Sequence, residues 1–172
     1  MRYKICVFLL FLICLFATKY VYASTNEFPL IGKVIYIDIG HGGNDPGAMY
    51  KDILEKDINL EIGKKIEQSL LKKGAIVYLT RYDDYDLSVT NTINNKRSDL
   101  SRRGNLINKS GCDLFISIHL NAEETGLWRG AQVFYNSKLE KNKKLAEIIQ
   151  KYFKKNLNSN RKAKVDNSLY FL

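Results

Sequence analysis

The chain switches between two hydrophobic periods. Lys33-Val-Ile-Tyr-Ile-Asp-Ile39 is β-branched and aromatic and predicts a strand. Gly40 to Ala48 holds four glycines and a proline and predicts a loop. From Glu55 onward, Leu54, Ile58, Ile62, Ile66 and Leu70 recur at near-helical spacing, so one apolar stripe is expected, ended by Gly74. Ala75-Ile-Val-Tyr-Leu-Thr80 predicts a second strand, and Arg81 to Lys96 is polar and aperiodic, a surface loop. Ser98 or Asp99 is the candidate cap of a helix running to about Lys109 and stopped by Gly111. Asp113-Leu-Phe-Ile-Ser-Ile118 predicts a third strand buried on both faces. Asn121 to Arg129 reads as a loop and Ala131-Gln-Val-Phe-Tyr135 as a fourth strand. Leu145, Ile148, Ile149, Tyr152 and Phe153 follow the i, i+3, i+4 rule of an amphipathic helix with a solvated, lysine-rich outer face. Asn156 to Asn167 is polar and loop-like, and Leu169-Tyr-Phe-Leu172 begins another strand.

Strands alternating with helices require crossover connections. The expected class is therefore α/β, with a mixed, largely parallel sheet flanked by helices.

The start of the chain has a different logic. Met1-Arg-Tyr-Lys4 is basic, Ile5 to Ala17 is an apolar run of thirteen residues, and Val21-Tyr22-Ala23 supplies small residues at a cleavage position. This is the pattern of a secretory signal over residues 1–23, cut after Ala23, with an uncleaved anchor as the alternative. A bilayer span takes about 20 residues, more than this run offers. Residues 24–172 then form one domain. Cys6 and Cys14 lie inside the signal, so Cys112 alone remains, a small core residue with no partner for a disulfide. Subtracting Arg2, Lys4 and Lys19 from the net charge of +9 leaves +6 for the remainder. Such a surface favours an anionic partner. Nucleic acid is excluded, because no zinc-finger, RNP or basic-helix pattern is present.

The chain has only two histidines. His41 follows the first strand and His119 ends the third. Ligands of open α/β sheets bind at the carboxyl ends of strands, so both imidazoles are expected in one crevice. Glu55 opens the intervening helix near the same edge. Two imidazoles and a carboxylate suit Zn²⁺, with the fourth position open for water, as in catalytic sites. Bound zinc lowers that water's pKa from ~16 toward ~7 and polarises an amide carbonyl. Gly40, Gly42 and Gly43 give the turn its freedom and leave room beside His41. The absence of a following Lys-Ser/Thr argues against a phosphate loop. Each histidine alone is equally readable as a satisfied core or surface residue, and Glu55 as an acid favoured by the helix dipole. Position leaves both readings open.

At these residues the chain resembles the zinc-dependent N-acetylmuramoyl-L-alanine amidases of the amidase-3 family, and within them the germination-specific, spore-cortex members. Four segments carry the resemblance: Ile37-Asp-Ile-Gly-His-Gly-Gly-Asn-Asp-Pro-Gly-Ala48, Leu54-Glu-Lys-Asp-Ile-Asn-Leu60, Leu100-Ser-Arg-Arg-Gly-Asn-Leu-Ile-Asn108 and Asp113-Leu-Phe-Ile-Ser-Ile-His-Leu-Asn-Ala122. It covers the chain from about Lys33 to Leu172. The resemblance implies one zinc ion held by His41, Glu55 and His119, and a sheet of about six strands with helices on both faces. It implies hydrolysis of the amide between N-acetylmuramic acid and the L-alanine of the stem peptide, in spore-cortex modification or cell-wall turnover. It implies an exported protein, in the cell wall or between the membranes of the developing spore. Peptidoglycan is the partner it implies, with a lipoprotein and a deacetylase acting downstream in spore formers.

The family also has a second essential glutamate, the general base and acid, in a segment that would follow Leu172. The expectation is of a domain incomplete at its C-terminus, with little activity of its own, and the catalytic residue beyond the two imidazoles and Glu55 is left unassigned. Glu123 and Glu124 are the acids nearest His119 that could substitute. Asn121 is the candidate substrate donor, or equally a loop-closing residue. The rival readings are a non-catalytic peptidoglycan-binding module and a zinc peptidase cutting within the stem.

Overall fold

Three of the expected strands join into one parallel sheet, and its register fixes everything that follows. The computed structural model describes residues 2–89, 94–120 and 130–167. Their elements run α1 (Arg2–Glu27), β1 (Val34–Ile39), β2 (Met49–Tyr50), β3 (Ile53–Leu54), α2 (Glu55–Leu71), β4 (Ile76–Leu79), α3 (Asn95–Ser110), β5 (Leu114–Ile118), β6 (Phe134–Tyr135), α4 (Glu140–Leu157) and β7 (Lys164–Val165). The sheet order is β4-β1-β5. β1 pairs in parallel with both neighbours, Ile37 opposite Leu79 and Ile39 opposite Ile118.

Because side chains alternate across a strand, β1 serves two layers. Ile35, Ile37 and Ile39 join Ala75, Val77 and Leu79 on one face, where Leu60, Ile66 and Leu70 of α2 cover them. Tyr36 joins Ile107 of α3 on the other, with Leu100, Cys112 and Phe115 around them. Helices thus lie on both faces, as expected for the class. Cys112 is partly buried against the Tyr36–Ile107 cluster, at the edge of the core rather than inside it.

Several local expectations need correction. The fully buried positions of α2 are Glu55, Asn59 and Gly63, one row at i, i+4, i+8, while Ile58 and Ile62 are half-buried. Gly63 sits there because a Cβ would come within 2.6 Å of Ile39 Cδ1. α3 starts a turn earlier than Ser98: Asn94 is its cap, its side chain accepting from the N–H of Arg97. Gly111 ends it in the left-handed region, as read. β5 is half-buried, not buried on both faces, because among the described residues it has β1 as its one partner strand. β6 is shorter than the expected strand and pairs in parallel with β7, which lies inside the stretch read as a loop. The described residues hold three strands in the main sheet, against the about six that the resemblance implies for the complete family fold. The strand read at Leu169–Leu172 and the loop at 121–129 lie outside the described residues.

α1 is continuous from Arg2 to Glu27 and leaves Ile5, Phe8, Phe11 and Phe16 exposed. Among the described residues no helix is long and apolar enough to cross a membrane. The packed body begins just after it: Leu30 packs on the core, and its N–H donates to the carbonyl of Lys73.

Candidate metal centre

The register places both histidines. Ile39 and Ile118 are the paired last residues of β1 and β5, and the ladder continues one step as the Gly40 N–H donates to the Ile118 carbonyl. His119 follows directly, and His41 one residue past Gly40. The short β2–β3 hairpin, unmarked in the sequence because its Met49, Tyr50 and Ile53 are exposed, then delivers the chain to the start of α2. Glu55 is thereby held from two sides. Its N–H donates to the Ala48 carbonyl, and its Oε2 accepts from the Ala48 N–H at 2.8 Å.

The three side chains meet. His41 Nε2 lies 3.2 Å from Glu55 Oε1, His119 Nδ1 lies 3.3 Å from the same oxygen, and the two nitrogens are 3.3 Å apart. Three lone-pair atoms at the corners of a nearly equilateral triangle need a shared cation or shared protons. Tetrahedral coordination at ~2.0–2.1 Å separates ligand atoms by roughly 3.3–3.4 Å, so the triangle fits zinc without rearrangement. Among the described residues this is the one cluster of histidine, cysteine or acid side chains with such spacing.

The surroundings prepare the triangle. His41 Nδ1 lies 2.8 Å from Asp45 Oδ2, which places the ring proton on Nδ1 and turns the Nε2 lone pair toward the triangle. Burial disfavours the Asp45 carboxylate, but hydrogen bonds from His41 and the Gly47 N–H outweigh it and hold its pKa below the ordinary value. Burial likewise opposes ionisation of Glu55. The N–H groups of Ala48 and Leu120, then His41 and Asn59, overcome it, so Glu55 is a carboxylate below its usual range. Loss of solvent pushes the His119 pKa down and keeps its imidazole neutral, the form that ligates.

Two glycines make room. A Cβ on Gly40 would lie 2.4 Å from His119 Cε1, and one on Gly47 would lie 2.7 Å from His41 Cδ2 and 2.8 Å from Glu55 Oε2. The space left by Gly40 is therefore for His119, not for His41 as the sequence suggests, and Gly47 is a site residue that sequence reasoning missed. His41 itself has φ +63, a left-handed conformation that costs a non-glycine residue about 1–2 kcal/mol.

Sequence reasoning also missed Asp45, Asn59, Arg81 and Arg103. Asp45 stands four residues from His41, and Asn59 four from Glu55 on the same helix face, spacings that could have found both. Arg81 is fully buried, although it opens the stretch read as a surface loop. Asn121, Glu123 and Glu124 lie outside the described residues.

The triangle opens into a cleft of about 470 Å³. Its acids are all engaged: Asp38 and Asp99 by Arg103, Asp45 by His41, and Glu55 by the triangle.

Residues 35–172 match the amidase-3 family of N-acetylmuramoyl-L-alanine amidases. The chain belongs to that family. The germination-specific N-acetylmuramoyl-L-alanine amidase of Bacillus subtilis is 43% identical over 171 residues, covering 94% of this chain and 72% of that protein. The amidase LytC of the same organism is 34% identical over 137 residues, and this chain spans a quarter of its length. Among solved structures, the CwlD amidase of Clostridioides difficile, determined in complex with the GerS lipoprotein, is 38% identical with a TM-score of 0.76, over 82% of this chain and 76% of that one. An N-acetylmuramoyl-L-alanine amidase from Clostridium difficile 630 follows at 34% identity and a TM-score of 0.67, over 81% of this chain and 72% of that one. The parallel sheet and flanking helices of this amidase are those of its N-acetylmuramoyl-L-alanine amidase neighbours.

Proposed function

We propose that this amidase cleaves the amide between N-acetylmuramic acid and L-alanine in peptidoglycan, outside the cytoplasm, with one zinc ion held by His41, Glu55 and His119. The observation that carries the reading is the 3.2–3.3 Å triangle at the carboxyl ends of two paired strands. Zinc bound there supplies a Lewis acid for the scissile carbonyl and acidifies a water toward neutral pKa. The chain's own residues do the rest. Asp45 orients His41. The N–H groups of Ala48 and Leu120 keep Glu55 ionised and fixed. Since the cleft's described acids are all engaged, the proton carrier is assigned outside them. Asn121, two positions past His119, is assigned a contact with substrate.

The cellular setting follows the relatives. The basic start and apolar run of residues 1–23 support export, and the germination-specific relative supports a role in cortex modification or germination. A lipoprotein partner is assigned by likeness to the CwlD complex, and a deacetylase is the expected downstream consumer of the product.

Incubation with purified peptidoglycan, followed by mass spectrometry of the products, tests the activity. Muramic acid freed of peptide, with a chelator abolishing its release, is the expected result. Products in which muramic acid stays joined to alanine would instead make the protein a peptidase. Sedimentation with the wall and no release at all would make it a binding module.

A further inference from the structure

Two fully buried arginines stand behind the metal centre. Arg103 is neutralised: its Nε donates to Asp99 Oδ2 at 2.6 Å and its Nη1 to Asp38 Oδ1 at 2.9 Å. Asp38 is fixed in turn by the hydroxyls of Thr80 and Ser117, at 3.0 and 2.6 Å. Arg81 directs its donors to main-chain carbonyls instead: Ile39 and Gly40 at 3.3 Å, Lys56 at 2.6 Å and Asp83 at 3.0 Å. A buried guanidinium among carbonyls is costly, and the neighbouring charge of Arg103 makes it costlier. Burial first, then Arg103, push the Arg81 pKa down. Such an arrangement needs a reason beyond filling space.

The carbonyls suggest it. Ile39, Gly40 and His41 follow one another at the end of β1. Arg103 reaches those of Ile39 and His41, at 2.5 and 2.8 Å, and Arg81 those of Ile39 and Gly40. The turn so held contains the left-handed His41. Arg81 also takes the carbonyl of Lys56, the residue after Glu55, and so ties the turn of one ligand to the helix of another. A Cβ on Gly42 would come within 3.0 Å of Arg81 Cδ and Nε, so the turn wraps closely around that side chain.

We propose that Arg81 and Arg103 are positioning residues of the metal centre: the two guanidiniums lock the backbone of His41 into its left-handed turn and set its distance from Glu55. The inference rests on His41, Glu55 and His119 being the metal ligands. Only a fork of several rigid donors can hold successive carbonyls at once. Lysine, with one point of charge, keeps the cation and loses the geometry.

The test compares Arg81→Lys and Arg103→Lys with Ile37→Val, a core variant that destabilises the sheet without touching the turn. Zinc dissociation constants come from chelator competition, ligand geometry from the visible absorption of the Co²⁺-loaded full chain, and fold from melting temperature. Each lysine variant is expected to bind zinc about tenfold or more weakly, as for other groups that orient metal ligands, and to shift the Co²⁺ bands. Ile37→Val should lower the melting temperature and leave affinity and bands unchanged. Should both lysine variants fold and match the parent in affinity and spectrum, the arginines serve stability alone and the proposal is overturned. If neither folds, Asp99→Asn decides, because it loosens the Nε anchor of Arg103 while its amide oxygen can still accept the Leu87 N–H. It should weaken zinc and move the bands, and a folded Asp99→Asn identical to the parent overturns the proposal. A parent chain that takes up no zinc removes the metal reading itself, an outcome distinct from equal binding by parent and variants.

Discussion

Two regions of the described chain follow opposite packing rules. Around the metal centre, the deepest side chains are polar: Asp38, Asn59, Arg81 and Arg103 are among the most buried, each bonded to backbone or to one another. The segment from Gly130 to Asn167 instead leaves its apolar groups outside. α4 packs chiefly on β6 and fully buries only Ala146 and Gln150, while Leu145, Ile148 and Tyr152 are 36%, 49% and 58% exposed. Its anchorage is itself polar: Gln150 accepts from the Val133 N–H at 2.8 Å and donates to the Ala131 carbonyl at 3.1 Å. Apart from Asn59 Oδ1, which has no partner, the buried side-chain polar atoms of this network are hydrogen-bonded, and such a network favours a single arrangement. The contrast teaches that positional precision in this amidase is concentrated where β1 and β5 end, and that α4 adds little to it.

Variants can break or sharpen that contrast, and the largest effect belongs to the proposed zinc ligands. Glu55→Ala, or His41→Ala, should abolish stoichiometric zinc. Elemental analysis checks this, and equal zinc in variant and parent refutes the ligand set. Ile37→Ala, beneath the network in the sheet core, should cost about 2–5 kcal/mol in a denaturant titration. A loss below about 1 kcal/mol would mean that the sheet is not the stabilising unit. Gly40→Ala should push the His119 ring off the triangle and weaken zinc about tenfold, or ~1.4 kcal/mol, with little change in the melt. Unchanged affinity would show that the ring can give way freely. The smallest effect is expected on α4: Leu145→Ser and Tyr152→Ser should each change stability by ~0.5 kcal/mol or less. A larger loss would show that this face is covered after all.

Much of the fold could be read from the linear pattern, for a physical reason. Strand composition, helix periods and capping residues are local, so β1, α2, β4, α3, β5 and α4 are legible along the chain. So does the arrest of α3 at Gly111, where a left-handed residue is needed. Elements too short to show a period were lost. β2, β3 and β7 have two residues each and exist because a neighbour supplies the hydrogen bonds. The boundary at Asn94 was missed because capping depends on where a side chain turns, and several polar residues in that stretch could have served. The exposed stripe of α4 was misplaced because amphipathic spacing marks an apolar face and cannot say whether anything covers it.

The candidate metal centre divides in the same way. Residue type and strand-end position in the sequence already determined which side chains could ligate, since only two histidines exist and both follow strands that the pattern predicts. The support beneath them was decided by tertiary structure alone. Arg81 opens a stretch that reads as a surface loop, and nothing in the linear pattern marks Arg103 as buried, until the fold encloses both; Gly40 and Gly47 read as turn residues until the imidazoles arrive beside them. Chemistry belongs to the residue and is visible along the chain. Burial and close approach belong to pairs of residues distant in sequence, and they come into existence only when the chain folds.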